Sequence, residues 1–218
     1  MIHPPAISNK ETEKDMAKVA LIGASGAAGS RLLRELSDRG HSVTGIARNP
    51  EKIAALPGVT ARKGDVFDKE GLADLIRGHD VVISAVHFLD SDADTLIAAV
   101  RASGAKRYLV VGGAGSLEVA PGKRLVDTPE FPAIYKAEAQ RGADFLDKLK
   151  TVGDLDWTFL SPSAVFSPGE RTGQFRLGKD TLLASDKGSS ISFEDYAIVM
   201  VDEIEKPAHI RRRFTVGY

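Results

Sequence analysis

Apolar runs of strand length alternate with amphipathic segments along most of this chain. Lys18–Ile22 is such a run, and three leucines in the segment that follows fall on one side of a helix whose other side is charged. The pattern predicts that this helix ends at Gly40, because glycine adopts the left-handed conformation that closes many helices. His41–Ala47 is a second predicted strand, so that residues 18–47 form a β-α-β unit.

The same alternation continues to the end of the sequence and predicts an α/β fold. The further predicted strands are Val59–Lys63, Asp80–Val86, Arg107–Gly112, Leu155–Leu160 and one near Phe214, and the further predicted helices are a short one from Pro50, Lys69–Arg77, Asp92–Ser103, Ala133–Lys150 and Glu194–Glu205. Elements in this order favour a Rossmann-type, doubly wound and mostly parallel sheet covered on both faces, with a small C-terminal substrate lobe.

Two stretches, residues 112–132 and 161–192, show no period and contain glycines and prolines. We expect them to be the loops that meet the substrate, since long loops in compact domains are usually functional. Residues 17–218 are expected to form one domain, because a chain of 218 residues with 43% hydrophobic content can bury one sizeable core. Residues 1–16 are polar and contain prolines, which predicts a disordered tail rather than a signal or transit peptide.

The composition narrows the classes of function. The net charge of −1 and the lack of a long basic run argue against a nucleic-acid surface, and no apolar run approaches the roughly twenty residues of a membrane-spanning helix. The chain has no cysteine, which excludes disulfides and thiolate nucleophiles, and its five histidines show no metal-ligand spacing. We therefore expect a cytoplasmic monomer or homodimer that acts on a small molecule and binds no metal, nucleic acid or membrane.

Three glycines spaced by three residues follow the first predicted strand and begin the first helix. Such a turn is typical of dinucleotide binding: the chain bends sharply, the pyrophosphate approaches the backbone, and the helix packs closely on the sheet. A glycine-rich surface loop is the alternative, but the flanking strand and helix favour the dinucleotide site. The predicted cofactor residues of this turn are Gly23, Ser25, Gly26, Ala27, Ala28 and Gly29.

The residue after the second strand predicts which dinucleotide is bound. Arg48 stands where an NAD-specific protein would carry an acidic residue for the ribose, and a guanidinium suits the 2′-phosphate of NADP. A solvated surface arginine is the alternative, with NAD as the other cofactor. Asp65 could accept a hydrogen bond from the adenine amino group, or act as a turn or capping residue. The remaining predicted cofactor residues are Val66, Ser84, Ala85, Val86, Gly112 and Gly113.

Together these motifs resemble one family. Gly-Ala-Ser-Gly-Ala-Ala-Gly after strand one, Ile-Ala-Arg after strand two, Gly-Asp-Val after strand three and Val-Val-Gly-Gly-Ala-Gly-Ser after strand five are similar to those of the atypical short-chain dehydrogenase/reductases. Within these they resemble the NmrA-like, NAD(P)H-binding group of NADH-flavin reductase type, over residues 18–218. The resemblance implies a Rossmann fold and NAD(P)H-dependent oxidoreductase chemistry.

The tyrosine and lysine of catalytic short-chain dehydrogenases are out of register in this chain. In those enzymes the lysine stands four residues after the tyrosine on one helix face, and a nearby serine positions the substrate oxygen. Here Tyr135 is followed directly by Lys136, about 100° around the helix, and the fourth residue on is Ala139. Tyr135 and Ser116 are the catalytic candidates, with a half-buried structural role as the alternative for the tyrosine.

The missing tyrosine–lysine pair would matter less with a flavin as acceptor, because a reduced flavin can be stabilised as an anion. The chemistry is then carried by the nicotinamide and the flavin themselves. We therefore expect hydride transfer from NADPH to a flavin, bound as substrate rather than as cofactor, or to another planar acceptor such as a quinone. His87, Ser116 and Pro162 are the predicted substrate contacts, with a surface histidine without function as the alternative for His87. The competing hypothesis is a non-catalytic NADP(H)-binding redox sensor of the NmrA-like type. A sugar-nucleotide epimerase is disfavoured by the out-of-register pair and the small C-terminal lobe.

Overall fold

Twelve strands and five helices make up residues 16–218, the part of the chain that the computed structural model describes. The strands are β1 (Lys18–Ile22), β2 (Ser42–Ala47), β3 (Val59–Lys63), β4 (Val81–Ser84), β5 (Arg107–Val111), β6 (Glu118–Ala120), β7 (Lys123–Arg124), β8 (Asp156–Pro162), β9 (Val165–Ser167), β10 (Arg176–Gly178), β11 (Ser190–Ser192) and β12 (Arg212–Gly217). The helices are α1 (Ala27–Asp38), α2 (Lys69–Ile76), α3 (Ala93–Ser103), α4 (Ala133–Lys150) and α5 (Phe193–Glu205), with single 3-10 turns at Pro50–Lys52 and Leu125–Asp127. The predicted tail lies outside the described residues, except for Met16.

Eight of these strands form one sheet in the order β10-β12-β8-β5-β4-β1-β2-β3. All neighbours in it run parallel except β10, which is antiparallel to β12. The order reverses at β1, which lies between β2 and β4, so a crevice opens at the carboxyl ends of these strands. The predicted mostly parallel sheet is confirmed.

Helices cover both faces of this sheet. Buried side chains of α1 and α5, such as Leu33 and Met200, form a core with one face. Those of α2, α3 and α4, such as Ile76, Val100 and Leu146, form a core with the other. The central strands are apolar along their length because their side chains meet a layer of helices on either face.

The two stretches predicted to be loops contain short strands. β6 and β7 form a hairpin within residues 112–132, and β9 pairs in parallel with β11 within residues 161–192. β10 extends the main sheet beside β12, whereas β9 and β11 form a small sheet of their own, so the C-terminal part of the chain both continues the main sheet and adds a small unit to it. Strands of two or three residues carry no readable alternation, and Val165 finds its partner only at Ser190, so the sequence pattern missed them.

The turn after β1 is closely packed against its neighbours. Gly23 has φ = +84°, and a Cβ at this position would lie 2.4 Å from the carbonyl oxygen of Ala85, just after β4. A Cβ on Gly29 would lie 2.0 Å from the carbonyl oxygen of Gly23, where α1 packs on the turn. Packing alone therefore requires glycine at both positions, before any ligand is considered.

We expect Gly23→Ala to lower the free energy of unfolding by about 2–5 kcal/mol, because a left-handed backbone and an overpacked site both cost energy. Gly78→Ala is the matched control, since Gly78 has φ = +79° but open space around the missing Cβ. It isolates the backbone cost of about 1–2 kcal/mol. Urea denaturation measures both variants, and equal losses would show that the turn does not approach Ala85 closely.

Candidate functional site

A cleft of about 780 Å³ opens along the carboxyl ends of β1, β2, β4, β5 and β8. It lies where the strand order reverses, the position at which open α/β sheets bind their ligands. Its volume falls in the range of about 300–1,000 Å³ that is typical of ligand pockets.

The start of α1 offers backbone N–H groups to this cleft. Gly26 is the N-cap residue and supplies no side-chain cap, and the first turn carries no acidic residue. Ala27 and Ala28, the first two helical residues, line the cleft. Unpaired N–H groups and the positive end of the helix dipole favour an anion here, such as the pyrophosphate of a dinucleotide.

Arg48 brings a positive charge to the cleft. It follows β2 directly and its side chain is exposed. Within residues 16–218 its guanidinium has no hydrogen-bond or ion-pair partner. Its charge and its donors are therefore available to an anionic ligand group.

Most residues predicted for the site line this cleft. They are Gly23, Ser25, Gly26, Ala27, Ala28, Arg48, Val66, Ala85, Val86, His87, Gly112, Gly113, Tyr135 and Pro162. The predicted residues that do not line it are Gly29, Asp65, Ser84 and Ser116. Gly29 lies beneath the turn and acts through packing, as described above.

Asp65 and Ser84 are engaged within the protein. Oδ1 of Asp65 accepts a 2.9 Å hydrogen bond from the backbone N–H of Phe67, so the residue stabilises the turn after β3. This is the alternative that the sequence left open. Oγ of Ser84 lies 3.0 Å from the hydroxyl of Tyr108 in the core. Asp65 is exposed between Gly64 and Val66, which both line the cleft, so its contact with the adenine stays a prediction, whereas the buried Ser84 faces the core.

Ser116, the predicted catalytic and substrate residue, lies away from the cleft. Its Oγ accepts a 3.3 Å hydrogen bond from Nη1 of Arg213 in β12, and the residue is only 9% exposed. A turn closed by the amide of Leu117 and the carbonyl of Ala114 carries the serine past the end of β5. Ser116 is therefore left out of the function proposed below.

An aromatic wall is formed by Phe88 after β4, Phe145 in α4 and Phe159 in β8. Phe88 stacks on Phe159 with ring centroids 6.2 Å apart and meets Phe145 edge-on at 5.6 Å. Gly112 makes room for this wall, since a Cβ there would lie 2.4 Å from the ring of Phe159. Phe88 itself lines the cleft, so the wall gives it a rigid apolar surface.

Several lining residues were missed by the sequence reasoning. Phe166 in β9 and Phe193 at the start of α5 lie with ring centroids 4.5 Å apart, and Phe131 precedes α4. Glu138 lines the cleft from α4. Glu138 had a readable signal, because it stands three residues after Tyr135 and so on the same helix face. The phenylalanines had none, since their contacts with the cleft depend on long-range folding.

Glu138 holds the segment that follows β4. Its Oε1 accepts a hydrogen bond from the backbone N–H of Phe88 and its Oε2 one from Leu89, both at 2.8 Å. Nδ1 of His87 lies 3.3 Å from Oε1. The carboxylate thus ties α4 to the residues that present His87 to the cleft.

Tyr135 lines the cleft from the first turn of α4 and is 62% exposed. This exposure rules out the half-buried structural role that the sequence left open. Lys136 does not line the cleft, and Ala139 stands one turn after the tyrosine. The helix therefore provides no lysine on the face of Tyr135.

Asp195 holds the segment between β9 and β10 against α5. The buried carboxylate accepts hydrogen bonds from the hydroxyl of Thr172, the amide of Gly173 and the hydroxyl of Tyr218. Burial by itself raises the pKa of Asp195, but these hydrogen bonds outweigh it and leave the pKa below its ordinary value. The start of α5, where Phe193 lines the cleft, is thereby held in place.

Comparison with known proteins identifies the family of this chain. Residues 23–207 match the model of a family described as NAD(P)H-binding. This chain belongs to that NAD(P)H-binding family. The match begins at Gly23, the first glycine of the turn, and ends just after α5.

Solved structures of relatives share the fold over nearly their whole length. A "putative exported protein" of Burkholderia pseudomallei is 48% identical with a TM-score of 0.84, and the match covers 93% of this chain and 100% of the relative. A "putative epimerase" of Bacteroides thetaiotaomicron is 43% identical with a TM-score of 0.89, covering 93% and 97%. A "putative NADH-flavin reductase" of Streptococcus pneumoniae is 40% identical with a TM-score of 0.78, covering 92% and 99%. The three descriptions differ and point to no single reaction.

Over residues 16–218, no helix is both long and apolar enough to cross a membrane. In the same part of the chain, no group of three or more histidine, aspartate or glutamate side chains is arranged to hold a metal ion. The cytoplasmic location and the absence of a metal stay predictions.

We expect Asp195→Asn to lower the free energy of unfolding at neutral pH by about 1–3 kcal/mol, the usual loss at a buried, charged hydrogen-bonding group. Because folding lowers the pKa of Asp195, its stabilisation is complete above the ordinary aspartate pKa and is lost as the pH falls through the lowered one. The difference between wild type and variant should therefore shrink below about pH 4.

Asp38→Asn, at an exposed position of α1, is the control and should leave both the stability and its pH dependence unchanged. Urea denaturation from neutral to acid pH measures all three proteins. A stability difference that stays constant with pH would show that Asp195 does not carry its charge in the folded protein.

Proposed function

We propose that this protein is an NADPH-dependent oxidoreductase that transfers hydride to a flavin or to another planar acceptor, such as a quinone. The supporting observation is one continuous cleft that joins the start of α1 to Phe88, the residue of the aromatic wall that lines the cleft just after β4. A dinucleotide needs N–H groups for its phosphates, and a flat acceptor needs an apolar surface. Hydride transfer requires these two surfaces to lie side by side. The family and fold establish NAD(P)H binding, and the acceptor and the preference for NADPH are the proposal.

The cleft would order the two molecules along the strand ends. The amides of Ala27 and Ala28 would hold the phosphates, and Ala85 and Val86 would leave room for the nicotinamide end. Bound NADPH would supply the hydride. Phe88 would present a fixed apolar surface to the acceptor, because the aromatic wall holds its ring. Such a site works by orientation and by keeping water away from the reacting atoms.

Arg48 supports NADPH over NADH. A guanidinium can pair with a phosphate through two parallel hydrogen bonds, which neither a ribose hydroxyl nor an adenine offers in the same form. Its position directly after β2 is the one at which proteins of this fold distinguish the two dinucleotides. Reduction by NADPH also fits a cytoplasmic location, which we propose for this protein.

A second hypothesis is a redox sensor that binds NADP(H) without turnover. It is favoured by the exposed Tyr135, which has no lysine on its helix face. The epimerase description belongs to one relative. In this chain the same tyrosine and the small size of the C-terminal part disfavour chemistry on a sugar nucleotide.

The two hypotheses differ in the rate of NADPH oxidation with added acceptors. We expect riboflavin, FMN or 2-methyl-1,4-naphthoquinone to raise this rate at least about tenfold, since positioning of two reactants alone can supply far more than that. Calorimetry on the same samples measures NADPH binding. Binding without acceleration by any acceptor would favour the sensor, and the absence of binding would contradict both hypotheses.

Arg48→Ala tests the choice of cofactor. We expect it to weaken NADPH binding about 10- to 100-fold, the equivalent of losing a charge-assisted hydrogen bond of about 1.5–3 kcal/mol. NADH binding should change little, because NADH lacks the 2′-phosphate. Arg77→Ala, which removes an exposed arginine that pairs with Asp74 outside the cleft, is the control. Equal losses for NADPH and NADH would remove Arg48 from the phosphate site.

A further inference from the structure

His87 is the one histidine that lines the cleft among the described residues, and Glu138 holds it there. We propose that His87 donates a proton to the acceptor during its reduction and that Glu138 is the positioning residue. The proposal rests on the proposed function, because it assigns the proton that must accompany hydride transfer to a quinone.

The backbone around His87 is fixed. Its carbonyl oxygen accepts hydrogen bonds from Oγ of Ser91 at 2.8 Å and from the amide of Asp90 at 3.2 Å. The next residue, Phe88, is buried in the aromatic wall. The imidazole itself is 80% exposed, so a rigid segment presents an accessible ring to the cleft.

Glu138 determines which imidazole nitrogen can act. Its two oxygens accept hydrogen bonds from the backbone amides of Phe88 and Leu89, which fixes the carboxylate. Oε1 also lies 3.3 Å from Nδ1 of His87. An ionised carboxylate only accepts hydrogen bonds, so Nδ1 must carry the proton of this contact. Nε2 has no partner within residues 16–218 and is left to exchange a proton with a ligand.

The other titratable or charged side chains that line the cleft are weaker donors. Asp90 and Glu130 bring carboxylate groups to the cleft, which accept hydrogen bonds. Tyr135 has no lysine on its helix face to assist loss of its proton. Arg48 follows β2, which is separated from β4 and His87 by β1.

Hydride transfer to a quinone adds two electrons and one hydrogen, and leaves negative charge on a quinone oxygen. The Nε2–H bond of protonated His87 would then break as an O–H bond forms on that oxygen. NADPH is the reductant, the quinone becomes the hydroquinone, and the neutral imidazole recovers its proton from water. A flavin makes a smaller demand, because the reduced ring can leave as an anion. The contribution of His87 should therefore depend on the acceptor.

His87→Gln removes the acid and keeps a polar side chain at an exposed position. With 2-methyl-1,4-naphthoquinone we expect kcat to fall about 100-fold, at the lower end of general acid–base catalysis, and with riboflavin less than about threefold. A merely structural residue would instead lower both rates alike.

Glu138→Gln keeps a carbonyl oxygen for one backbone amide and removes the charge. We expect a loss of about tenfold in kcat with the quinone and little change in KM, as for other residues that orient a functional histidine. Nitrogen NMR of the imidazole gives a readout without turnover. The ring signal that disappears in His87→Gln should show a proton on Nδ1 in the wild type and mixed tautomers in Glu138→Gln.

Tyr135→Phe decides between the two donors. Loss of quinone reduction in Tyr135→Phe, with His87→Gln unaffected, would overturn the proposal. Equal losses for riboflavin and quinone in His87→Gln, or an Nδ1 without a proton, would overturn it and leave the proposed function standing. A wild type that binds NADPH but reduces neither acceptor would overturn the proposed function, and this assignment with it.

Discussion

The convergence of three backbone segments at Gly23 is the constraint on which the rest of this structure depends. The carbonyl of Ala85 fills the space that a side chain on Gly23 would need, and the carbonyl of Gly23 fills the space beside Gly29. Without side chains at these two positions, the end of β1, the end of β4 and the start of α1 meet at one point. The N–H groups of the helix therefore lie on the same sheet edge as the residues that follow β4 and β5.

Two carboxylates hold the segments that border the cleft. Glu138 ties α4 to the segment after β4 through two backbone amides, and Asp195 ties the segment after β9 to the start of α5. Each carboxylate takes the place of water as the hydrogen-bond acceptor of backbone N–H. Because the acceptor is charged, these hydrogen bonds are strong. The result is a rigid frame around a mainly apolar space, suited to a reaction in which the bound molecules supply the chemistry and the protein supplies their orientation.

Much of the fold was readable from the sequence. β1, β3 and α4 begin and end where the hydrophobic pattern predicted, and Gly40 adopts the left-handed conformation expected after α1. The fourth strand was predicted to span Asp80–Val86, but β4 ends at Ser84. Ala85 already belongs to the turn that packs against Gly23. The short pairing of β9 with β11 was missed, because three-residue strands show no alternation and their stability comes from a distant partner.

The sequence by itself determined the order of the elements, the dinucleotide turn and the family, because periodicity and the need for glycine are local properties of the chain. Only the tertiary structure decided which polar side chains meet in the cleft. His87 and Glu138, which meet in the cleft, are 51 residues apart in the sequence. Ser116 is hydrogen-bonded to Arg213, which is 97 residues away, and not to a group in the cleft. Such contacts depend on how strands and helices pack, and no spacing along the chain encodes the direction in which a side chain will face after they have packed.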